Sequence, residues 1–246
     1  MIVAAALCPA PPLLVRELTG AQQVAPDLVG ACLESVAELM AANPDVIAVV
    51  GTAPRTEVWN GETTLDLARY APGLYSASGR PAGHGLPQAL GVGRWLLATV
   101  GCQVSPLLQA VAEDEPAARC AEIGAALART DRRVALLAMA DGSARRGLKA
   151  PGYLDERSVE FDAAVERAVR TGELGPLLSI DESVARELMA TGRPAWQVLA
   201  GALGGRPVAT QVRYCDDPFG VAYLVASLRA GQESFASGKR QEWRLR

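Results

Sequence analysis

The chain has 246 residues, half of them apolar, with 24 basic against 27 acidic side chains and a net charge of −3. That length can bury a core without metals or disulfides, and that charge gives no electrostatic footprint for nucleic acid. No apolar run reaches membrane-spanning length, so neither nucleic acid nor membrane is expected as a partner.

Residues 2–7 form a short apolar run, too short and too poor in preceding cations for a secretory leader, and read as a buried strand. The prolines of Cys8-Pro9-Ala10-Pro11-Pro12 then force an extended turn. A helix follows over 26–42, with Pro26 in its first turn and Leu28, Cys32, Val36 and Leu39 as its apolar stripe. Residues 46–50 are a second buried strand, parallel to the first through a strand–helix–strand unit. Residues 56–78 mix short alternating stretches with turn residues and suggest minor strands or a long excursion. The patterns then predict a helix over 86–100, a strand over 103–108, a helix over 116–129 and a central strand over 134–139. Helices follow over 155–171, 181–190 and 194–202, and strands over 208–214 and 221–228. The whole reads as one α/β domain over 1–230, a parallel or mixed sheet flanked by helices, with a solvated basic tail over 231–246.

Five cysteines, Cys8, Cys32, Cys102, Cys120 and Cys215, are odd in number and show no C-x-x-C spacing. They point to reduced thiols and a cytoplasmic protein, and they offer no zinc site. Gly91-x-Gly93 lies inside a helix pattern and is no dinucleotide fingerprint. Ser143 has no G-x-S-x-G elbow, and the chain's one histidine, His84, sits in a glycine-flanked turn where a structural role outweighs a catalytic one. Asp216 and Asp217 before Pro218 read as a hairpin turn rather than metal ligands.

Three buried strands end in polar turns that should gather at one edge, where open α/β sheets bind ligands. The turns are Cys8 to Pro12, Gly51-Thr52-Ala53-Pro54-Arg55, and Ala140-Asp141-Gly142-Ser143-Ala144-Arg145-Arg146. The last opens the densest polar stretch of the chain, in which Arg145, Arg146 and Lys149 could clamp a carboxylate or phosphate. A solvated connection, with Asp155 capping the next helix, is the competing reading.

Taken in order, these turns resemble those of the class III extradiol ring-cleavage dioxygenases, the LigB-like group that includes Memo-like proteins. The segment Ala6 to Leu14 is similar to that family's first strand and turn, with Ala10 where a histidine ligand would stand. Val49 to Arg55 is similar to its Gly-Pro-Ser-His-Arg turn, with Pro54 at the second histidine position. Ala140 to Arg145 is similar to its Gly-Asp-Leu-Ser-His-Arg loop, with Ala144 at the catalytic histidine. The family's glutamate precedes a helix like the one at Trp196, and Gly192, Arg193, Pro194 and Ala195 offer no carboxylate there.

The resemblance implies a LigB-like α/β fold without its iron. A facial triad needs two histidines and a carboxylate, and alanine and proline have no donor atom. Three functions therefore stay open, none with a cofactor. The first is a metal-free protein that binds a small anionic molecule or a partner at the former site through Thr52, Arg55, Asp141, Ser143, Arg145, Arg146 and Lys149. The second is an active enzyme with a non-standard site, a ring-cleavage-dioxygenase-like oxidoreductase or another, on an aromatic or carboxylated substrate, using Asp141, Ser143 or His84. The third is a non-catalytic subunit of a homo-oligomer or of a complex with a partner chain.

Overall fold

The computed structural model describes residues 1–20, 24–59, 61–71, 85–206 and 208–231. Seven strands form one mixed sheet in the order β3-β4-β2-β5-β1-β7-β6. They are β1 (Ile2–Cys8), β2 (Val46–Ala53), β3 (Glu57–Trp59), β4 (Leu107–Ala112), β5 (Val134–Met139), β6 (Val208–Asp216) and β7 (Tyr223–Ala230). The inner four, β4, β2, β5 and β1, are parallel, so their carboxyl ends share one edge. Antiparallel β3 flanks them on one side, and the β7–β6 hairpin on the other. Strands β1 and β2 are parallel as expected, but β5 lies between them.

The helices are α1 (Arg16–Thr19), α2 (Pro26–Ala41), α3 (Gln88–Thr99), α4 (Ala117–Ala128), α5 (Arg157–Thr171), α6 (Glu182–Glu187) and α7 (Arg193–Leu203). Strand alternation divides the core into two layers. Ala4, Ala6, Ile47, Val49, Ala135 and Leu137 pack with α2 and α3 on one face. Ala5, Leu7, Ala48, Val50, Leu136 and Ala138 pack with α4, α5 and α7 on the other. Central strands covered on both faces carry no polar alternation, which is why they read as continuous apolar runs.

Helices α4 and α7 pack through two glycines. A side chain on Gly124 would meet the Val198 carbonyl oxygen at 2.0 Å, and one on Gly201 would meet the Ala121 oxygen at 2.4 Å. Backbones this close leave no room for a Cβ.

Two expectations change. The strand expected over 103–108 begins at Leu107 and runs to Ala112, because Pro106 lacks the N–H that a ladder needs. The helix expected from residue 155 begins at Arg157, and the Asp155 carboxylate accepts from the Arg157 N–H at 3.1 Å. Within 56–78 the described part holds β3 and a 3-10 turn at Leu67–Arg69. His84 and all of the tail beyond Gly231 lie outside the described residues.

Candidate functional site

A cleft of about 630 Å3 opens at the edge where the parallel strands end. Ala10, Thr52, Pro54, Met139 and Asp141 come to it from β1, β2 and β5, and Glu113 and Asp114 from the turn after β4. Gln88 enters from the start of α3, and Arg186 and Thr191 from α6 and the turn that follows. The expected convergence thus places Ala10, Pro54, Thr52 and Asp141 on one cleft.

Its floor is a backbone crossing at Ala10. The Ala10 N–H donates to Asp141 Oδ1 at 2.8 Å, and the Ala10 carbonyl accepts from Gln88 Nε2 at 3.0 Å. Thr52 Oγ1 donates across the cleft to the Thr191 carbonyl at 2.6 Å. Asp141 meets the cleft with part of its surface while protein surrounds most of its carboxyl. That desolvation pushes the carboxyl up to about 6, against the opposing pull of the Ala10 N–H. Burial, with the Asp141 charge adding to it, raises the Tyr223 phenol far above its ordinary value, so Tyr223 stays neutral. The Asp141 carbonyl accepts from the Gly192 N–H at 2.9 Å, and a Cβ on Gly192 would meet that oxygen at 2.5 Å. Only glycine lets the α6–α7 turn approach the β5 turn this closely.

The rest of the polar loop points elsewhere. Ser143 is fully buried, and its Oγ and N–H donate to the two oxygens of Asp162 at 2.5 and 2.9 Å. Arg146 Nε donates to Asp217 at 2.8 Å and lies 3.8 Å from Asp162. The Arg145 carbonyl accepts from the Asp155 N–H and from Ser158 Oγ. Ala144 is buried, with its N–H on the Leu188 carbonyl and its own carbonyl on the Gly152 N–H. Lys149 and Arg55 are exposed. None of Arg55, Ser143, Ala144, Arg145, Arg146 and Lys149 is among the residues that line the cleft. Among the described residues, the cation that lines it is Arg186.

Behind the acidic wall stands Arg193, 2% exposed. Its guanidinium donates to the carbonyls of Glu113 at 2.5 Å and Glu115 at 2.9 Å, and to Gln197 Oε1 at 2.8 Å. Glu182 Oε1 lies 3.3 Å away. Thr56 secures the same turn, accepting from the Ala112 N–H at 2.9 Å and donating to the Glu115 carboxylate. Glu113 and Asp114 are therefore carried on a turn held from behind. Sequence reasoning weighed Arg193 only as a missing carboxylate. Its signal was a lone arginine in an otherwise apolar helix start.

Among the described residues the lining of the cleft does not supply the two histidines and one carboxylate needed by the iron that the resemblance implies. Among the described residues no group of three or more His, Cys, Asp and Glu side chains is arranged to hold a metal ion. The backbone of Ala10 is committed to Asp141 and Gln88, and Pro54 has no donor. The five cysteines are free thiols, with Cys8, Cys32 and Cys120 buried. Among the described residues no helix is long and apolar enough to cross a membrane.

The architecture is thus an α/β domain with a mixed sheet and a polar cleft at its strand ends. No protein-family model and no curated protein matches the chain. Among solved structures it is similar to an uncharacterized protein of Escherichia coli K12, JW3007, at 14% identity. That match covers 93% of this chain and 100% of the other, with a TM-score of 0.56, and shows a shared fold.

Proposed function

We propose that the protein is a metal-independent relative of the class III extradiol dioxygenases that binds a small polar molecule at the former active-site edge. The observation that carries this reading is the 630 Å3 cleft built on the turns of Ala10, Pro54 and Asp141, with charges of both signs on its walls. Concave sites with a few convergent polar groups are where proteins bind small molecules. An anionic group of the ligand sits best at Arg186, in a cleft that the first residues of α3, Gln88 and Ala89, also line. Hydrogen-bond donors or an ammonium group sit best at Asp141, Glu113 and Asp114. The anion site expected at Arg145 and Arg146 moves in this reading to Arg186. A thermal-shift screen of carboxylates, with and without an amino group, tests it. Arg186→Ala should weaken a bound carboxylate about tenfold, the worth of one charge-assisted hydrogen bond. Binding by Arg186→Ala equal to the parent's overturns the anion position, and no response to any carboxylate or amine overturns the ligand class.

A second reading, a subunit that docks a partner, draws on exposed Leu148, Tyr153, Met189 and Phe219. These sit on loops that touch one another, since Gly152 lies against Met189 and Gly220 against Ala150. Sedimentation of the pure protein as a monomer at high concentration would count against self-association through this patch.

A further inference from the structure

The strand-end cleft meets a ligand mainly with charge. Its neutral polar side chains are largely engaged within the protein. Gln88 donates from Nε2 to the Ala10 carbonyl at 3.0 Å and accepts from the Tyr70 hydroxyl at 3.3 Å, and the Thr52 hydroxyl donates to the Thr191 carbonyl at 2.6 Å. Beside the Thr191 side chain, the rest of the lining is apolar, from Ala10, Ala53, Pro54, Ala89 and Met139, or charged. The charged part sets three carboxylates, Glu113, Asp114 and Asp141, against the one guanidinium of Arg186. Elsewhere carboxylates are paired: Asp162 and Asp217 with Arg146, Glu34 and Glu38 with Arg213, Asp155 and Glu187 with Arg157. Among the described residues none of the four cleft charges is in an ion pair.

Glu113, Asp114 and Arg186 are exposed, so Asp141 is the most enclosed of the four. Burial raises its carboxyl to about 6, and what pulls the other way is the Ala10 N–H, not a cation of the protein. Behind it the Cys32 thiol of α2, raised by its hydrogen bond with Cys8 of β1 and by burial, and the Tyr223 phenol of β7, raised by burial, stay neutral. Arg193 of α7 is committed to the carbonyls of Glu113 and Glu115. A ligand cation would supply the missing compensation, since a nearby opposite charge favours the ionised carboxyl. A zwitterion leaves the acidic excess of the cleft untouched, and a diacid adds to it; a second cationic nitrogen reduces it. We propose, resting on the small-molecule reading of this cleft, that its ligand is of the basic amino-acid class: a carboxylate on Arg186 and two cationic nitrogens, one on Asp141 and the other on the outer acids Glu113 and Asp114.

The test is calorimetric titration of the full chain at low salt with four probes: lysine, the longer arginine, 6-aminohexanoate with one nitrogen fewer than lysine, and adipate with none. Lysine or arginine should bind about three- to fivefold more tightly than 6-aminohexanoate, the effect of one ion pair at an exposed wall, and adipate should bind least. Glu113→Gln with Asp114→Asn should remove that margin and leave 6-aminohexanoate unchanged. From pH 7.5 to 5 the affinity of the parent for the better basic probe should fall about tenfold as Asp141 takes up its proton, while the probe keeps its charges. Asp141→Asn, which retains an oxygen for the Ala10 N–H, should bind that probe about tenfold more weakly at pH 7.5 and lose the pH step. If 6-aminohexanoate or adipate binds as tightly as both basic probes, the excess of cationic groups is wrong and the cleft stands as a small-molecule site. If none of the four binds, this proposal and the small-molecule reading fall together. A pH step that persists in Asp141→Asn overturns the contact of a cation with Asp141.

Discussion

Asp141→Asn should make the protein more stable at neutral pH. In the folded chain the Asp141 carboxyl titrates near 6, whereas an unfolded aspartate titrates near its ordinary value of 3.8. Below the lower value the carboxyl is protonated in both states and contributes nothing. Between the two the unfolded chain releases its proton first, so stability falls as pH rises, and above the higher value the loss is complete. A gap of about two pK units at 1.36 kcal/mol each is a penalty of about 3 kcal/mol at pH 7. Asparagine keeps an oxygen for the Ala10 N–H and never ionises, so the substitution removes that penalty. For a domain of this size about 3 kcal/mol raises the melting temperature by about 6–12 °C. The assay is urea denaturation of parent and variant from pH 3.5 to 7.5, analysed as the difference between the two. Using the difference removes the titration of Asp162, whose carboxyl is also raised by burial but is common to both proteins. A difference near zero at pH 3.5 that grows through pH 6 is expected. A difference independent of pH would refute the reasoning, since Asp141 would then be an ordinary carboxylate.

Arg193→Met should destabilise the fold by about 3–5 kcal/mol, because it strands the Glu113 and Glu115 carbonyls and the Gln197 amide. A loss under about 1 kcal/mol by denaturant titration would show that the turn stands without it. Gly192→Ala should cost about 1–3 kcal/mol, since the new Cβ must displace the Asp141 carbonyl or Ala140. The same variant should shift the backbone amides of Asp141 and Ala10, and unchanged amides would remove Gly192 from the site's support. With Fe(II) supplied in air, the protein should hold no stoichiometric iron and take up no oxygen with catechols, because one histidine cannot furnish two imidazole ligands. Ring cleavage abolished by His84→Ala would reverse that conclusion.

The strands around Leu7, Val50 and Leu137 were legible because covered central strands are apolar without interruption. The turn after β4 was not. Gln109 breaks the apolar run of that strand and looks like its end, yet it is buried, with its amide on the carbonyls of Glu57 and Ala110. Placing the strand four residues early hid the turn that brings Glu113 and Asp114 to the cleft. Arg186 and Thr191 were invisible for a different reason. They come from a helix and a turn far along the chain, and only tertiary packing sets them opposite Thr52. Arg145 and Arg146 drew attention as a dense cationic pair after a strand. Asp217, distant in sequence, is what turns Arg146 away.

The glycine contact between α4 and α7 has a mechanical consequence for the cleft. Two helices whose backbones touch at Gly124 and Gly201 cannot slide or rotate past each other, so they behave as one stiff beam. Arg193, at one end of that beam, grips the turn that carries Glu113 and Asp114. The acidic jaw and the α7 end of the cleft therefore share one rigid body. The opposite jaw, the helix Glu182–Glu187, is tied to the same beam where Glu182 lies 3.3 Å from the Arg193 guanidinium, so an occupant is met by the exposed Arg186 side chain on a backbone held at its first turn.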